Sequence, residues 1–264
     1  MAEQILFLRK NNLDQEVTAA TIGVTGIATS LGDSSFLRNR SNSNGLAITA
    51  ATSDIVITCN FAGAVSITNF MMVYTDVVNY LLEYKLATAT VNPVIKKQYS
   101  ATVRSQNTYF KEYERFQADQ LIITITDRGD RRIAQLIVSD MIGRLNAWAE
   151  ITNPEISSSL STGKMINGKS YILEGQRSFS VELKVDFHKD PDDMSLLDQL
   201  FNTHEGFLTL LCGGDQSAFF YPLEGYRLQD IYLMRPSIPL QPDLYKAIYV
   251  TGMVTKIKLV EVVS

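Results

Sequence analysis

The segment Ser178–Phe187 (SFSVELKVDF) alternates apolar and polar residues, placing Phe179, Val181, Leu183, Val185 and Phe187 on one face and Glu182, Lys184 and Asp186 on the other. A period of two buries a single face only when the chain is extended; on a helix the same residues would be spread around the whole circumference. Further runs rich in β-branched and aromatic residues lie at Asp54–Phe61 (DIVITCNF), Ala64–Tyr74, Asn79–Leu86, Gln120–Thr126 and Arg132–Ser139. Such residues suit a pleated, half-buried surface. In the first of these runs Ile55, Ile57, Cys59 and Phe61 share the expected core face. The chain is therefore expected to be mainly β, with its first half a meander of short strands.

The punctuation between these runs suggests two units. Ser30–Gly45 (SLGDSSFLRNRSNSNG) has no period and reads as a long exposed loop, while Asn92-Pro93 and Asp127-Arg128-Gly129-Asp130 read as turns. Residues 153–172 lose periodicity and concentrate Ser, Gly and Asn, which marks them as a linker between a β-sandwich over 1–152 and a second β-sandwich-like domain over 173–264. In the second domain, acidic residues precede Met194–Phe201, where Leu196, Leu197, Leu200 and Phe201 recur at helical spacing. This predicts one short helix near 193–201. Strands are expected to follow at Phe207–Cys212 and, after a Gly213-Gly214 turn, at Leu244–Val254 and Val254–Val263.

With 264 residues the chain can build a sizeable core without disulfides, and Cys59 and Cys212, far apart in separate apolar strings, read as buried thiols. The 24 basic and 28 acidic residues give a net charge of −4, which supplies no general attraction for nucleic acid or anionic lipid. The most apolar stretch, Leu46–Tyr74, is interrupted by Asp54, Asn60 and Asn69, so no membrane-spanning helix is expected. The opening residues lack the basic and apolar regions of an export signal, which points to synthesis in a cytoplasm.

The candidate chemical motifs resolve into structural readings. His188 and His204 are separated by a predicted helix and match no metal or catalytic spacing. The acidic set Asp186, Asp190, Asp192 and Asp193 lacks the glycine and ordered spacing of a calcium loop and suits a helix start. Thr162-Gly163-Lys164 lacks the upstream glycine of a phosphate loop, Arg128-Gly129-Asp130 lies where a hairpin turn is expected, and Asn39-Arg40-Ser41 is a sequon without an export signal. No Ser, Cys or carboxylate pair carries a nucleophile or acid–base signature. No catalytic, cofactor-binding or metal-binding residue is therefore assigned, and the chain is not expected to be an enzyme. Tyr74, Tyr80, Tyr84, Tyr99, Tyr109, Tyr113 and Tyr171 are read as cross-strand packing, with a sugar-stacking or interface surface as the alternative. Trp148 reads as a core or interdomain anchor.

The order of the Ser30–Gly45 loop and the strands at Asp54–Phe61, Ser66–Tyr74, Tyr80–Tyr84, Gln120–Thr126 and Arg132–Val138 resembles a discoidin or galactose-binding-like β-sandwich. Asn60-Phe61-Ala62-Gly63 stands where family members carry an Asp-Leu-Gly-like corner. The second half resembles a module of tailed-bacteriophage tail-tip and distal-tail proteins. The matching features are a Gly175-Gln176-Arg177-Ser178-Phe179 strand, the Met194–Phe201 helix, Glu205-Gly206-Phe207-Leu208 at a strand start, and a late antiparallel pair near Ala247–Val254 and Thr255–Val262. The resemblance implies a virion structural protein of the tail tip, distal tail or baseplate. Such a protein is made in the host bacterial cytoplasm and acts by self-assembly into a ring or collar and by docking to other tail proteins. The alternative it leaves open is a carbohydrate- or receptor-binding module whose partner is a host surface glycan.

Overall fold

A computed structural model describes residues 4–15, 18–26, 29–31, 34–39, 45–51, 53–100, 107–145, 149–164, 170–185, 191–202, 208–212, 231–236 and 255–261. Fifteen strands form two sheets, and every strand pairing among these residues is antiparallel. The strands are β1 (Gln4–Leu8), β2 (Thr21–Thr25), β3 (Thr29–Leu31), β4 (Leu46–Ala51), β5 (Ile55–Thr75), β6 (Asn79–Lys85), β7 (Ile95–Ser100), β8 (Asn107–Ile125), β9 (Gly129–Ser139), β10 (Met141–Arg144), β11 (Ala149–Lys164), β12 (Ser170–Val185), β13 (Leu208–Cys212), β14 (Ile231–Pro236) and β15 (Thr255–Glu261). One helix, α1 (Pro191–Asn202), covers the predicted Met194–Phe201 and begins with Asp192 and Asp193 in its first turn, where carboxylates complement the helix dipole.

The first sheet runs β3-β4-β9-β5-β8-β6-β7, with β2 added on β5. It is not the expected meander of short strands. The predicted strands 54–61 and 64–74 are joined in the 21-residue β5, and β8 runs for 19 residues alongside it. Both strands turn a corner near Asn60–Val65, where four residues of β5 face only Asp119 of β8 and Ala62, Gly63 and Ala64 are exposed. Small residues suit such a bend. Beyond it the second half of the β5–β8 pair folds back over the first, so that Ile55, Ile57 and Cys59 share one core with Ile67, Phe70 and Met72.

The corner also explains why alternation is lost in the second half of β5. Ile67–Val73 is buried on both faces: Ile67, Phe70 and Met72 enter the sandwich core, and Met71 and Val73 enter a second core with Leu6, Leu8, Phe110 and Ile137. Doubly buried strands read as continuous apolar runs.

The second sheet runs β10-β1-β13-β14-β15-β12-β11. Its β1 comes from the extreme start of the described chain and pairs with both β10 and β13, Leu6 lying opposite Arg144 on one side and Leu210 on the other. The sandwich is thus inserted between two neighbouring strands of the second sheet. The stretch 153–172, expected as a linker, lies instead largely within β11 and β12, paired from Ala149–Val185 to Lys164–Ser170. Ser and Thr hold an extended conformation as readily as a loop when a partner strand satisfies their backbone, and that partner is invisible to composition. Helix α1 packs on β10 at Gly143, where an added Cβ would lie 2.6 Å from the Leu196 side chain.

The Ser30–Gly45 segment is likewise not a wholly exposed loop. It contains β3 and a 3-10 turn at Ser34–Arg38, whose Leu37 is fully buried in the sandwich core. The Ser34 hydroxyl donates to Ile22 O at 3.2 Å, and the Arg38 guanidinium donates to Thr18 O at 3.0 Å and to Ala20 O, which caps the edge at β2. His188, His204, Trp148, the Gly213-Gly214 turn and the strand expected over 247–254 lie outside the described residues.

Candidate functional site

Three polar or aromatic clusters are built on this frame. The first is the tyrosine cluster. Tyr80 and Tyr84 project from β6 into the core, Tyr99 comes from β7, and Tyr109, Tyr113 and Phe116 come from the folded-back half of β8. The rings meet edge to face, Tyr80 on Tyr109 at 5.3 Å between centroids and Tyr84 on Phe116 at 4.9 Å, a geometry the ring quadrupoles favour. The hydroxyls of the half-buried Tyr99 and Tyr113 are 3.1 Å apart. Those of Tyr80 and Tyr84 are buried and face neighbouring phenols, Tyr109 and Tyr113 respectively.

Burial pushes all five phenols above their ordinary value, and neighbouring phenols add to the effect on Tyr80, Tyr84 and Tyr113. Burial also pushes the Cys59 thiol beneath them up to about 12. These groups remain neutral in ordinary buffers, so the cluster supplies packing and neutral hydroxyls, not a nucleophile. The expected cross-strand packing therefore accounts for Tyr80, Tyr84, Tyr99, Tyr109 and Tyr113. Tyr74 packs beside the second core with a φ of 44°, and Tyr171 lies in β12. Val91, 74% exposed in the β6–β7 connection, is the large apolar side chain left in solvent among the described residues.

The second cluster lies where the chain crosses between the layers of the sandwich. Asp127 accepts hydrogen bonds from Val78 N at 2.5 Å, Asn79 N at 3.0 Å, the Asn79 amide at 2.8 Å and Arg131 Nε at 3.3 Å. Burial pushes its carboxyl up, but these donors outweigh burial and hold it below the ordinary 3.8. Arg128 pairs with Asp54 at 2.8 Å, and Arg132 N donates to Asp76 at 2.6 Å. Arg128-Gly129-Asp130 is the entry into β9, with Gly129 at φ 84°, and not the turn of a hairpin. β8 pairs with β5 and β6 whereas β9 pairs with β4 and β5, so the connection at 126–128 carries the chain from one layer to the other.

The third cluster seats the sandwich on the second sheet. The buried Asn11 carboxamide donates to Leu136 O at 2.9 Å and accepts from Val138 N at 2.9 Å and Leu13 N at 3.1 Å. Around it, Asp140 pairs with Arg115 at 3.1 Å and Arg9 at 3.8 Å, Glu112 pairs with Arg144 at 2.9 Å, and Met141 N donates to Thr68 Oγ1 at 2.6 Å. None of these residues stood out in the sequence. Asn11-Asn12 before a long polar stretch was the available signal, and it reads equally well as an ordinary turn.

Among the described residues no group of three or more His, Cys, Asp or Glu side chains is placed to hold a metal ion. Thr162-Gly163-Lys164 lies in strand β11 rather than in a loop before a helix. No helix of the described residues is long and apolar enough to cross a membrane.

No protein-family model and no curated protein matches the sequence. Among solved structures the chain is similar to chitosan-binding module 1 of a Paenibacillus sp. IK-5 chitosanase/glucanase (TM-score 0.39, 12% identity, 49% of this chain and 98% of that one). It is also similar to a Streptococcus pneumoniae fucose binding module (0.40, 12%, 50% and 95%). A third is a Clostridium perfringens module in complex with GalNAc-β-1,3-galactose (0.38, 12%, 45% and 94%). At this degree of likeness the ligand and the assembly of this chain have to be read from its own residues.

Proposed function

We propose that this chain acts by assembly and docking rather than by turnover, as a structural protein of a phage tail at the tail tip, distal tail or baseplate. The observation that carries this reading is the insertion of the sandwich between β1 and β10 of the second sheet. Leu6 and Leu8, fully buried, plug into the sandwich against Met71, Val73, Phe110 and Ile137. Each such side chain contributes about 1.5–3 kcal/mol on burial. With Asn11 hydrogen-bonded to β9, the two units are joined by an apolar core and by backbone-like bonds, and a joint of this kind suits a load-carrying bracket better than a hinged catalyst.

On this reading the partners are other copies of the chain and other tail proteins, and the protein is made in the host cytoplasm and carried in the virion. Sedimentation and negative-stain microscopy of the full chain, with immunogold labelling of particles from the source culture, test it. Discrete closed oligomers and label at one level of a tail are expected. A monomer at every concentration, with unlabelled particles, would overturn the reading.

A second reading is carbohydrate recognition by the sandwich, the ligand class named for the similar solved structures. It is favoured by the partly buried Tyr99 and Tyr113, whose adjacent hydroxyls give an aromatic surface a polar tip. A glycan array probed with the full chain tests it, with the Tyr113→Ala variant expected to lose any signal that this surface supplies.

A further inference from the structure

One side of the sandwich ends at β7 in one layer and at residues 107–118, the folded-back part of β8, in the other. Among the described residues β7 pairs with β6 alone and this part of β8 with β5 alone, so the two strands form a rim. Alternation decides what the rim carries. On β7, Tyr99 and Ile95 lie opposite the buried Tyr80 and Tyr84, which places Lys97 between them in the same row. On β8, Tyr109 and Lys111 lie opposite Met72 and Phe70 of the core, and Tyr113 packs against that core. Each strand therefore presents a lysine followed two residues later by a tyrosine, Lys97 with Tyr99 and Lys111 with Tyr113, and the tyrosine hydroxyls meet at 3.1 Å. No acidic residue stands in either row. Lys97 is exposed and makes no ion pair among the described residues, whereas its neighbour Lys96 turns to the opposite face and pairs with Glu83 at 2.8 Å. The Tyr99 ring lies on Tyr80 at 5.3 Å between centroids with 30° between the planes, so one ring face is covered and the residue stays partly exposed.

We propose that this rim binds an acidic saccharide, its carboxylate or phosphate group held by Lys97 and its sugar ring seated on the Tyr99–Tyr113 pair, with Lys111 adding to the positive potential of the rim. This rests on the carbohydrate reading above and commits it to an anionic ligand and to the side of the sandwich. A neutral phenol both donates and accepts hydrogen bonds, so two adjacent phenols suit the hydroxyls of a sugar, and an aromatic face suits the apolar face of its ring. An ammonium on a flexible stem suits an anion that approaches from solvent. Nucleic acid fits this rim less well. Its affinity grows with the number of phosphates neutralised, and two lysines on a chain of net charge −4 neutralise few.

The test is calorimetric titration of the full chain with oligogalacturonate as the carboxylate probe, short poly(glycerol phosphate) as the phosphate probe and a maltooligosaccharide as the neutral one. Binding of an acidic probe is expected, weakening as salt rises, and which of the two binds identifies the anion. Lys97→Gln is expected to weaken that binding about three- to fivefold, while Lys97→Arg retains it. Lys96→Gln removes the same charge from the opposite face and is expected to leave binding unchanged. Both lysines are exposed, so thermal melts of the variants should match the parent. Acidic-probe binding that Lys97→Gln and Lys96→Gln weaken alike would overturn the rim site, and equal binding of single-stranded DNA would overturn the saccharide as its ligand. Binding of the neutral probe alone would overturn this inference and leave the carbohydrate reading standing. No binding of any probe, together with a blank glycan array, would overturn both.

Discussion

Asn11 is bonded to Val138 as one peptide group is to the next in a sheet: its Oδ1 accepts the Val138 N–H at 2.9 Å while its Nδ2 donates to Leu136 O at 2.9 Å. A side-chain amide thus continues the ladder of β9 at the point where the chain passes from the second sheet into the sandwich. Asn11→Ala would leave both backbone groups buried and unpaired. Each such loss costs about 1–3 kcal/mol, so urea unfolding of the variant is expected to show a loss of about 2–4 kcal/mol. A midpoint within error of the parent would refute the role given to this residue.

Asp127 makes stability depend on pH with a definite sign. Its folded carboxyl titrates below the ordinary 3.8, so its stabilising contribution is complete above that value and is lost as pH falls through the folded value. Asp127→Asn removes the charge and sets an amide against the Val78 and Asn79 N–H donors. At pH 7 the variant is expected to be less stable by about 1–3 kcal/mol. The gap should narrow on acidification below pH 4, followed by thermal melts across a pH series.

Gly26 is required by its conformation and its surroundings together. It has φ 85°, and a Cβ there would lie 2.0 Å from Asp54 O, a backbone atom that cannot turn aside. Gly26→Ala is expected to destabilise by about 1–3 kcal/mol or more. Gly23, on β2 with open space around its Cβ position, serves as the control. Gly23→Ala should lie within about 0.5 kcal/mol of the parent, as surface substitutions do.

The tyrosine cluster predicts an asymmetry between hydroxyls. Tyr80→Phe removes a buried hydroxyl that meets none of the geometric limits of a good hydrogen bond and should cost less than Tyr113→Phe, which removes the 3.1 Å bond to Tyr99. Thermal melts of the two variants read the difference.

In alkali the same tyrosines link titration to unfolding. Their phenols are held neutral above the usual 10.0, so the stability they contribute is complete below that pH and is lost as pH rises toward the folded values. Ultraviolet titration is expected to show these phenolates appearing together with loss of fold. Smooth ionisation of a folded protein would contradict the burial.

Local patterns determined the strands and the helix. Ile55, Ile57, Cys59 and Phe61 share a buried face as their period of two requires, and the acidic start and leucine spacing of α1 place a helix within a few residues of where it lies. Strand identity follows from each residue's neighbours along the chain, which is what a sequence records. What only the tertiary structure decided is partnership between distant segments. Short apolar strings carry no address, so nothing in Ile5–Leu8 announces that this strand pairs with β10 and β13, more than 130 residues away, and nothing in the Ser-rich 153–164 distinguishes a loop from a strand with a partner. The reason is physical: apolar burial is non-directional, and a backbone hydrogen bond carries no sequence label. The seat at Asn11 and the corner in β5 exist only once the sheets have assembled, and they carry the functional reading.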